Sequence, residues 1–326
     1  MNKSVLIVLL FFLLLTCKKQ TEYKSVNLLK GTDVIFADSL FAASIVSESD
    51  DYTKVLSAYD RQAGMNSDKP VSQNEYIQHL AKNVKNWDEK SISRFENFSK
   101  KISSRLAELK IKLPAQIVMI HTTSKEIGGA AAAYTRQNAI MLSNQILVSS
   151  DSIVQDVFIH EIFHVYSRFN PEKQDKLYAI VGFRRTNEIE LPEPWRDRLI
   201  SNPDAPLMNT VIDVQKGDTT LTLTPFIFAR RQYNPKDRGG IFQSLSFELL
   251  QVEQKDGKTV PVFKGKNPVT YSVNGLEDYW RQIGHNTNYI IHPEEIMASN
   301  FVFLINQKRG LKNPEIIEKM KQIIVN

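Results

Sequence analysis

His160-Glu161-Ile162-Phe163-His164 constrains the fold of this 326-residue chain more than any other feature in it. Two histidines four residues apart on a helix lie on one face, one turn from each other. They can grip a single metal ion while the glutamate beside them handles a proton. That arrangement needs a helix, and the flanks supply one. Asp151 to Ile159 lead in with Ser150 or Asp151 as N-cap, and Asn170-Pro171 marks the far end. These signals predict one helix of about five turns. From Val157 to Tyr166 every residue except His160, Glu161 and His164 is uncharged. The pattern suits a buried helix with only its metal-binding face opening into a cleft.

The rest of the chain limits how such a site is built. Hydrophobic residues make up 42% and charged residues 24%, enough for one large domain or two modest ones. Lys3 precedes the apolar run Val5 to Leu15, which suits a signal sequence and is short of the roughly 20 residues that span a bilayer. The run ends at Leu14-Leu15-Thr16-Cys17, which resembles a bacterial lipobox with Thr16 in place of the usual Gly, Ala or Ser. The resemblance implies that residues 1–17 are a lipoprotein signal peptide with a lipidated Cys17. The protein would then be exported and anchored to a cell-envelope membrane, multiple acyl chains holding it more firmly than one. Residues 18–32 read as a tether and 33–326 as the folded domain. Cys17 is the only cysteine, so the folded part has no disulfides and its metal site must be built from histidine and carboxylate. The net charge of +5 becomes +4 once Lys3 is removed. Its basic residues are interspersed with acidic ones, which argues against nucleic acid as a partner.

Helical patterns run weakly over 33–62, then through Tyr76, Ile77, Leu80 and Val84, and more strongly from Ile92 through Phe95, Phe98, Ile102 and Leu106 to Leu109. After Pro114, Gln116 to His121 reads as a buried strand. Ala131 to Tyr134 and Ala139 to Leu142 read as two more, joined by a turn at Thr135 to Asn138. A helix near Pro171 to Gly182 and a proline-punctuated stretch from Leu191 to Pro206 follow. Alternating patterns then predict a β-rich insertion at about 210–265. The fold class is α+β, with a helical N-terminal part and a small sheet ahead of the motif helix.

A catalytic zinc takes three protein ligands and leaves a position open, so two histidines do not suffice. Ser167 and Asn170 stand where the metzincin signature needs Gly and His, which excludes that pattern. Downstream, His285, His292, Glu294 and Glu295 are available, and the last three open a helical segment with Pro293 at its first position. Small residues one turn after Glu295, Ala298 and Ser299, leave room for close approach to the metal helix. Glu294 reads as a solvated first-turn acid, and His292 is the alternative ligand to Glu295.

Glu295-Ile296-Met297-Ala298-Ser299-Asn300 resembles the Glu-x-x-Ala-Asp-Asn element of the gluzincin zinc peptidases, the neprilysin and thermolysin group. The resemblance implies a zincin-like domain with a small sheet over the HExxH helix, and His160, His164 and Glu295 on one Zn²⁺ per chain. Zinc-bound water would be the nucleophile, Glu161 the general base, and a peptide or protein the substrate. Tyr289 and His285 are the oxyanion-holding candidates. Ser299 stands where the family has an aspartate that orients a ligand histidine, which implies weaker support for that ring. The sheet's edge strand, expected within 131–142, would pair with the substrate backbone, although an ordinary structural hairpin reads equally well there. The alternative function is a non-catalytic zinc-binding or adhesion lipoprotein with a decayed site. Nothing in the sequence speaks to oligomeric state.

Overall fold

A computed structural model describes residues 23–129, 132–236 and 244–326; the expected signal segment and Cys17 lie outside the described residues. Two short strands come first, β1 (Lys24–Leu29) and β2 (Thr32–Phe36). They form an antiparallel hairpin across Lys30-Gly31, where Gly31 takes a φ of +88° that favours glycine. This corrects two expectations. Val26 and Leu28 are buried at alternate positions of a strand, so the tether cannot extend to residue 32, and the helical pattern does not begin at 33.

Helices α1 (Ser39–Val46), α2 (Asp51–Val55), α3 (Ala58–Met65) and α4 (Gln73–Lys82) follow. Each is capped by a side chain, from Asp38, Asp50, Ser57 and Ser72 respectively. After the two-residue β3 (Val84–Lys85) comes the long α5 (Glu89–Glu108), whose Phe95, Phe98, Ile102 and Leu106 stripe is buried as its spacing predicts.

Strands β4 (Gln116–Thr122), β5 (Ala133–Arg136) and β6 (Ala139–Ser143) complete the first sheet, in the order β1-β2-β4-β6-β5 with β3 also on β4. β2, β4 and β6 run parallel, and β5 returns antiparallel to form one edge. β4 is buried along nearly its whole length because both faces are covered. Ile117 and Met119 join the main core with α5, while Val118 and Ile120 pack with Ala42, Tyr76 and Leu80 of α1 and α4.

A short α6 (Asn144–Leu147) leads into the motif helix α7 (Asp151–Phe169), and Pro171 then starts α8 (Pro171–Ile180). β7 (Phe183–Arg185) and α9 (Glu193–Arg196) precede the second sheet's main strands, β8 (Thr210–Lys216), β9 (Thr219–Ala229), β10 (Leu245–Lys255) and β11 (Lys258–Pro261). The short β12 (Phe263–Lys264), β13 (Asn267–Pro268) and β14 (Thr270–Tyr271) follow. This sheet is ordered β11-β10-β9-β8-β7 with β14 also on β10, so the expected β-rich segment is somewhat longer than 210–265. One face, through Ile212, Leu223 and Leu249, belongs to the main core. The other covers Ile189, Leu191 and Trp195.

The chain closes with α10 (Glu277–Ile283), α11 (Pro293–Ile305) and α12 (Pro314–Val325). Helices α7 and α11 pack directly, Phe301 lying 5.4 Å from Phe163 and 6.4 Å from Tyr166 between ring centroids. Ala298 is fully buried at this contact's level on α11, and its small side chain permits the close approach that the sequence predicts. No helix among the described residues is long and apolar enough to cross a membrane.

Candidate metal centre

Helix α7 carries His160, Glu161 and His164 on the face turned towards the start of α11. Pro293 sits at the first helical position of α11 and His292 caps it, its Nδ1 accepting from the Glu294 backbone N–H at 3.1 Å. His292 Nε2 lies 3.2 Å from Thr210 Oγ1. That placement engages both ring nitrogens of His292 and leaves Glu295 facing the two motif histidines.

The distances among these donor atoms could accommodate a metal ion. Tetrahedral coordination with bonds of about 2.0–2.1 Å separates neighbouring ligand atoms by about 3.4 Å. Glu295 Oε2 lies 3.0 Å from His160 Nε2 and 3.6 Å from His164 Nε2. Asp204 Oδ1, which sequence reasoning missed, lies 3.9 Å from the same His164 nitrogen. His164, Asp204 and Glu295 form one group able to hold an ion, and His160, Glu161 and His164 another, each with donor atoms within 4.8 Å of one another.

The residues fit a cation on a second ground. His164 Nε2 is buried with no hydrogen-bond partner. Its Nδ1 is 2.9 Å from Glu294 Oε1, so with Nδ1–H donated to that carboxylate, the Nε2 proton favoured by Glu295 and Asp204 is the one that a metal ion would replace. Four carboxylates, Glu161, Asp204, Glu294 and Glu295, surround two imidazoles here, and all four are buried or nearly so. Such a concentration of negative charge away from water is costly unless a positive charge compensates it.

The protonation tendencies reflect that imbalance. Burial opposes a charge on His164, but Asp204, Glu295 and Glu294 outweigh it and raise its pKa well above the ordinary value. Burial lowers His160 despite its bond to Glu295. Burial, with the charge of Asp204, pushes Glu161 well up. Asp204 is pushed up to about 7, chiefly by burial. Glu295 goes the other way, the positive charge and hydrogen bonds of the histidines overcoming its burial.

Glu294 corrects a further expectation. It is not a solvated acid but 1% exposed, and it accepts from His164, from Ser167 Oγ at 2.8 Å and from Tyr178 OH at 2.5 Å. Those donors outweigh burial and keep its pKa below the usual carboxylate range. The negative charge absent at Ser299 is therefore supplied from the first turn of the same helix, directly to His164. Ser299 itself lines the cleft.

Glu161 is held by Thr135 of β5, whose Oγ1 donates to Oε2 at 2.7 Å. Glu295 is held by Asn202, whose Nδ2 donates to Oε1 at 2.7 Å. These contacts open onto a cavity of about 510 Å³ lined by His160, Glu161, Asp204, Glu295 and Tyr289 together with apolar side chains including Ile200, Ile227, Val302 and Phe303. Tyr289 is 45% exposed with its ring centroid 6.0 Å from that of His160. His285 is elsewhere. Its ring stacks on Trp280 at 5.2 Å, its backbone N–H donates to Asn313, and it does not line the cavity, so the structure corrects its placement beside the site.

β5 supplies the wall next to Glu161. Its two-residue turn to β6 makes Arg136 and Tyr134 the inward-bonded positions, and directs the backbone groups of Ala133 and Thr135 away from the sheet. The expected edge strand is therefore present, beginning at Ala133. Comparison with family models, with curated proteins and with solved structures gave no match.

Proposed function

We propose that this protein is a zinc-dependent peptidase of the zincin type, with His160, His164 and Glu295 as metal ligands and Glu161 as general base. The observation that carries the reading is the buried, unpartnered Nε2 of His164, turned by Glu294 towards a carboxylate at metal-ligand spacing. A structural metal has no use for the additional acid Glu161, which stands beside the ligands and faces the cavity.

Bound zinc would polarise the scissile carbonyl and acidify an attacking water. Glu161, oriented by Thr135, accepts the proton of that water and passes it to the leaving amine. A cation held by the neighbouring residues would offset the burial that raises the Glu161 pKa and let its carboxylate serve as a base. Tyr289, which lines the cavity beside His160, would donate its hydroxyl to the developing oxyanion. The outward backbone groups of β5 would hold an extended substrate through main-chain bonds, and the apolar cavity walls would receive a large hydrophobic side chain.

Zinc per chain, measured by elemental mass spectrometry on protein purified without chelator, comes first, followed by cleavage of a mixed peptide library with and without chelator. Near one zinc per chain and chelator-sensitive cleavage are expected. Zinc without cleavage would favour the anchored zinc-binding lipoprotein instead, and no zinc after reconstitution would end both readings.

A further inference from the structure

Asp204 lies far from the HExxH and Glu295 motifs in sequence, on the loop between α9 and β8, yet its carboxylate stands at the metal site. It is bracketed by Pro203 and Pro206, which fix the backbone on either side. The loop is tied down at several points. Ser57 Oγ donates to Leu199 O at 2.6 Å, Ser201 Oγ donates to Asp60 Oδ2 at 2.7 Å, and Arg168 Nη2 donates to Asp204 O at 3.1 Å. Asn202 of the same loop both accepts from Asp204 N–H and donates to Glu295. These bonds hold the loop so that the Asp204 carboxylate faces His164 and Glu295.

Two positions that a substrate needs are occupied by this one side chain. Oδ1 lies 3.9 Å from His164 Nε2, about half an ångström beyond the roughly 3.4 Å expected between two ligands of one zinc, so a small rotation would bring it into coordination. The same Oδ1 accepts from Thr135 N–H at 2.7 Å, one of the outward donors of the edge strand.

We propose that Asp204 is a fourth ligand of the metal, so that the resting site is closed and opens only when the carbonyl and backbone of a bound peptide displace the Asp204 carboxylate. The inference rests on the metallopeptidase reading above. With His160, His164, Glu295 and Asp204 engaged, no position is left for water. Displacement frees a metal position and the Thr135 donor together, which couples access to the metal with pairing along β5. Only the Asp204 side chain has to turn, since the backbone remains held by Arg168 and the two prolines.

The test is zinc affinity, read by competition with a chromogenic chelator on the full chain in mild detergent, for the unaltered protein, Asp204→Asn and Asp204→Ala. Asn keeps an oxygen for Thr135 N–H but presents a neutral, poor ligand. Asp204→Asn is expected to weaken zinc binding by about tenfold or more, at least the loss seen when outer contacts to a ligand are removed. Its zinc-loaded form is expected to bind acetohydroxamate more tightly than the unaltered protein, because no carboxylate has to be displaced. Circular dichroism controls for folding. If the unaltered chain binds one zinc and Asp204→Asn binds it equally well, the fourth-ligand assignment is wrong while the metal site stands. Weakening in Asp204→Ala alone would also overturn it, assigning Asp204 to the edge-strand contact. A chain that binds no zinc at all would instead remove the metallopeptidase reading.

Discussion

Glu294 Oε1 lies 2.9 Å from His164 Nδ1, joining α11 to α7 through one fully buried hydrogen bond. The bond fixes both the ring's orientation and its tautomer, and a carboxylate acceptor makes the opposite nitrogen a stronger donor to a metal. Glu294→Gln is expected to retain the fold but to lower zinc affinity by about 10–100-fold. Chelator competition measures it, and an unchanged affinity would show that the ring needs no such partner.

Glu161→Gln separates chemistry from metal binding. The amide can still accept from Thr135 Oγ1, so the local packing is preserved, but it cannot take a proton. Peptide cleavage is expected to fall by about 10²-fold or more while zinc content stays near that of the unaltered protein. Thr135→Val, which keeps shape and removes the hydroxyl, should reduce turnover less, since it frees Glu161 without neutralising it.

How far the site was legible follows from the range of each signal. His160, Glu161, His164 and Glu295 were legible because helical periodicity and a cap are local properties of the chain, while the packing of α11 on α7 brings Glu295 to the other three. Glu294 was misread because its neighbours along the sequence, Pro293 and Glu295, place it in a first turn. Only the packing of Ser167 and Tyr178 from α7 and α8 makes that turn an interior. Asp204 carries no periodic signal, being one polar residue in a proline-rich loop, and its position depends on Arg168 and Thr135 acting over distance, with Asn202 beside it in the loop. β1 and β2 were missed for another reason: five or six residues with two alternations are too few to stand out until Val34 and Ile35 pair with Ile117 and Val118.

Tyr289 and His285 make opposite predictions. Tyr289 lines the cavity next to His160, and Tyr289→Phe is expected to lower kcat by about 10-fold or more with little change in KM, as for a donor used mainly in the transition state. His285 stacks on Trp280 outside the cavity lining, so His285→Ala should leave both constants within about twofold. Equal losses in the two variants would show that the segment before α11 acts as a unit.

Metal loss should be visible in stability as well as activity, because a cation that binds the folded site and not the open chain stabilises it by mass action. At a free zinc concentration about a thousand times Kd the gain is about 4 kcal/mol. Thermal unfolding with chelator should therefore occur well below that with zinc, and the difference should shrink sharply in His164→Ala. A melting temperature indifferent to zinc would leave the buried carboxylates without their compensating charge.

The loop that carries Asp204 depends on Asp60, which is 2% exposed and accepts from Ser57 N–H at 3.0 Å and from Ser201 N–H and Oγ. Removing it in Asp60→Ala leaves those donors buried and unpaired, at a cost of roughly 2–4 kcal/mol in urea unfolding. The cost should vary with pH in a definite direction. Burial raises the Asp60 pKa against the hydrogen bonds from Ser201 and Ser57. A raised folded pKa means the native state holds the proton more tightly than the unfolded chain. Its contribution is complete below the ordinary aspartate value near 3.9 and is lost as pH rises through the folded value. Asp60→Ala should accordingly destabilise more at about pH 4 than at about pH 7. The reverse order would mean that Asp60 is held as a carboxylate by its donors, with its pKa lowered and not raised.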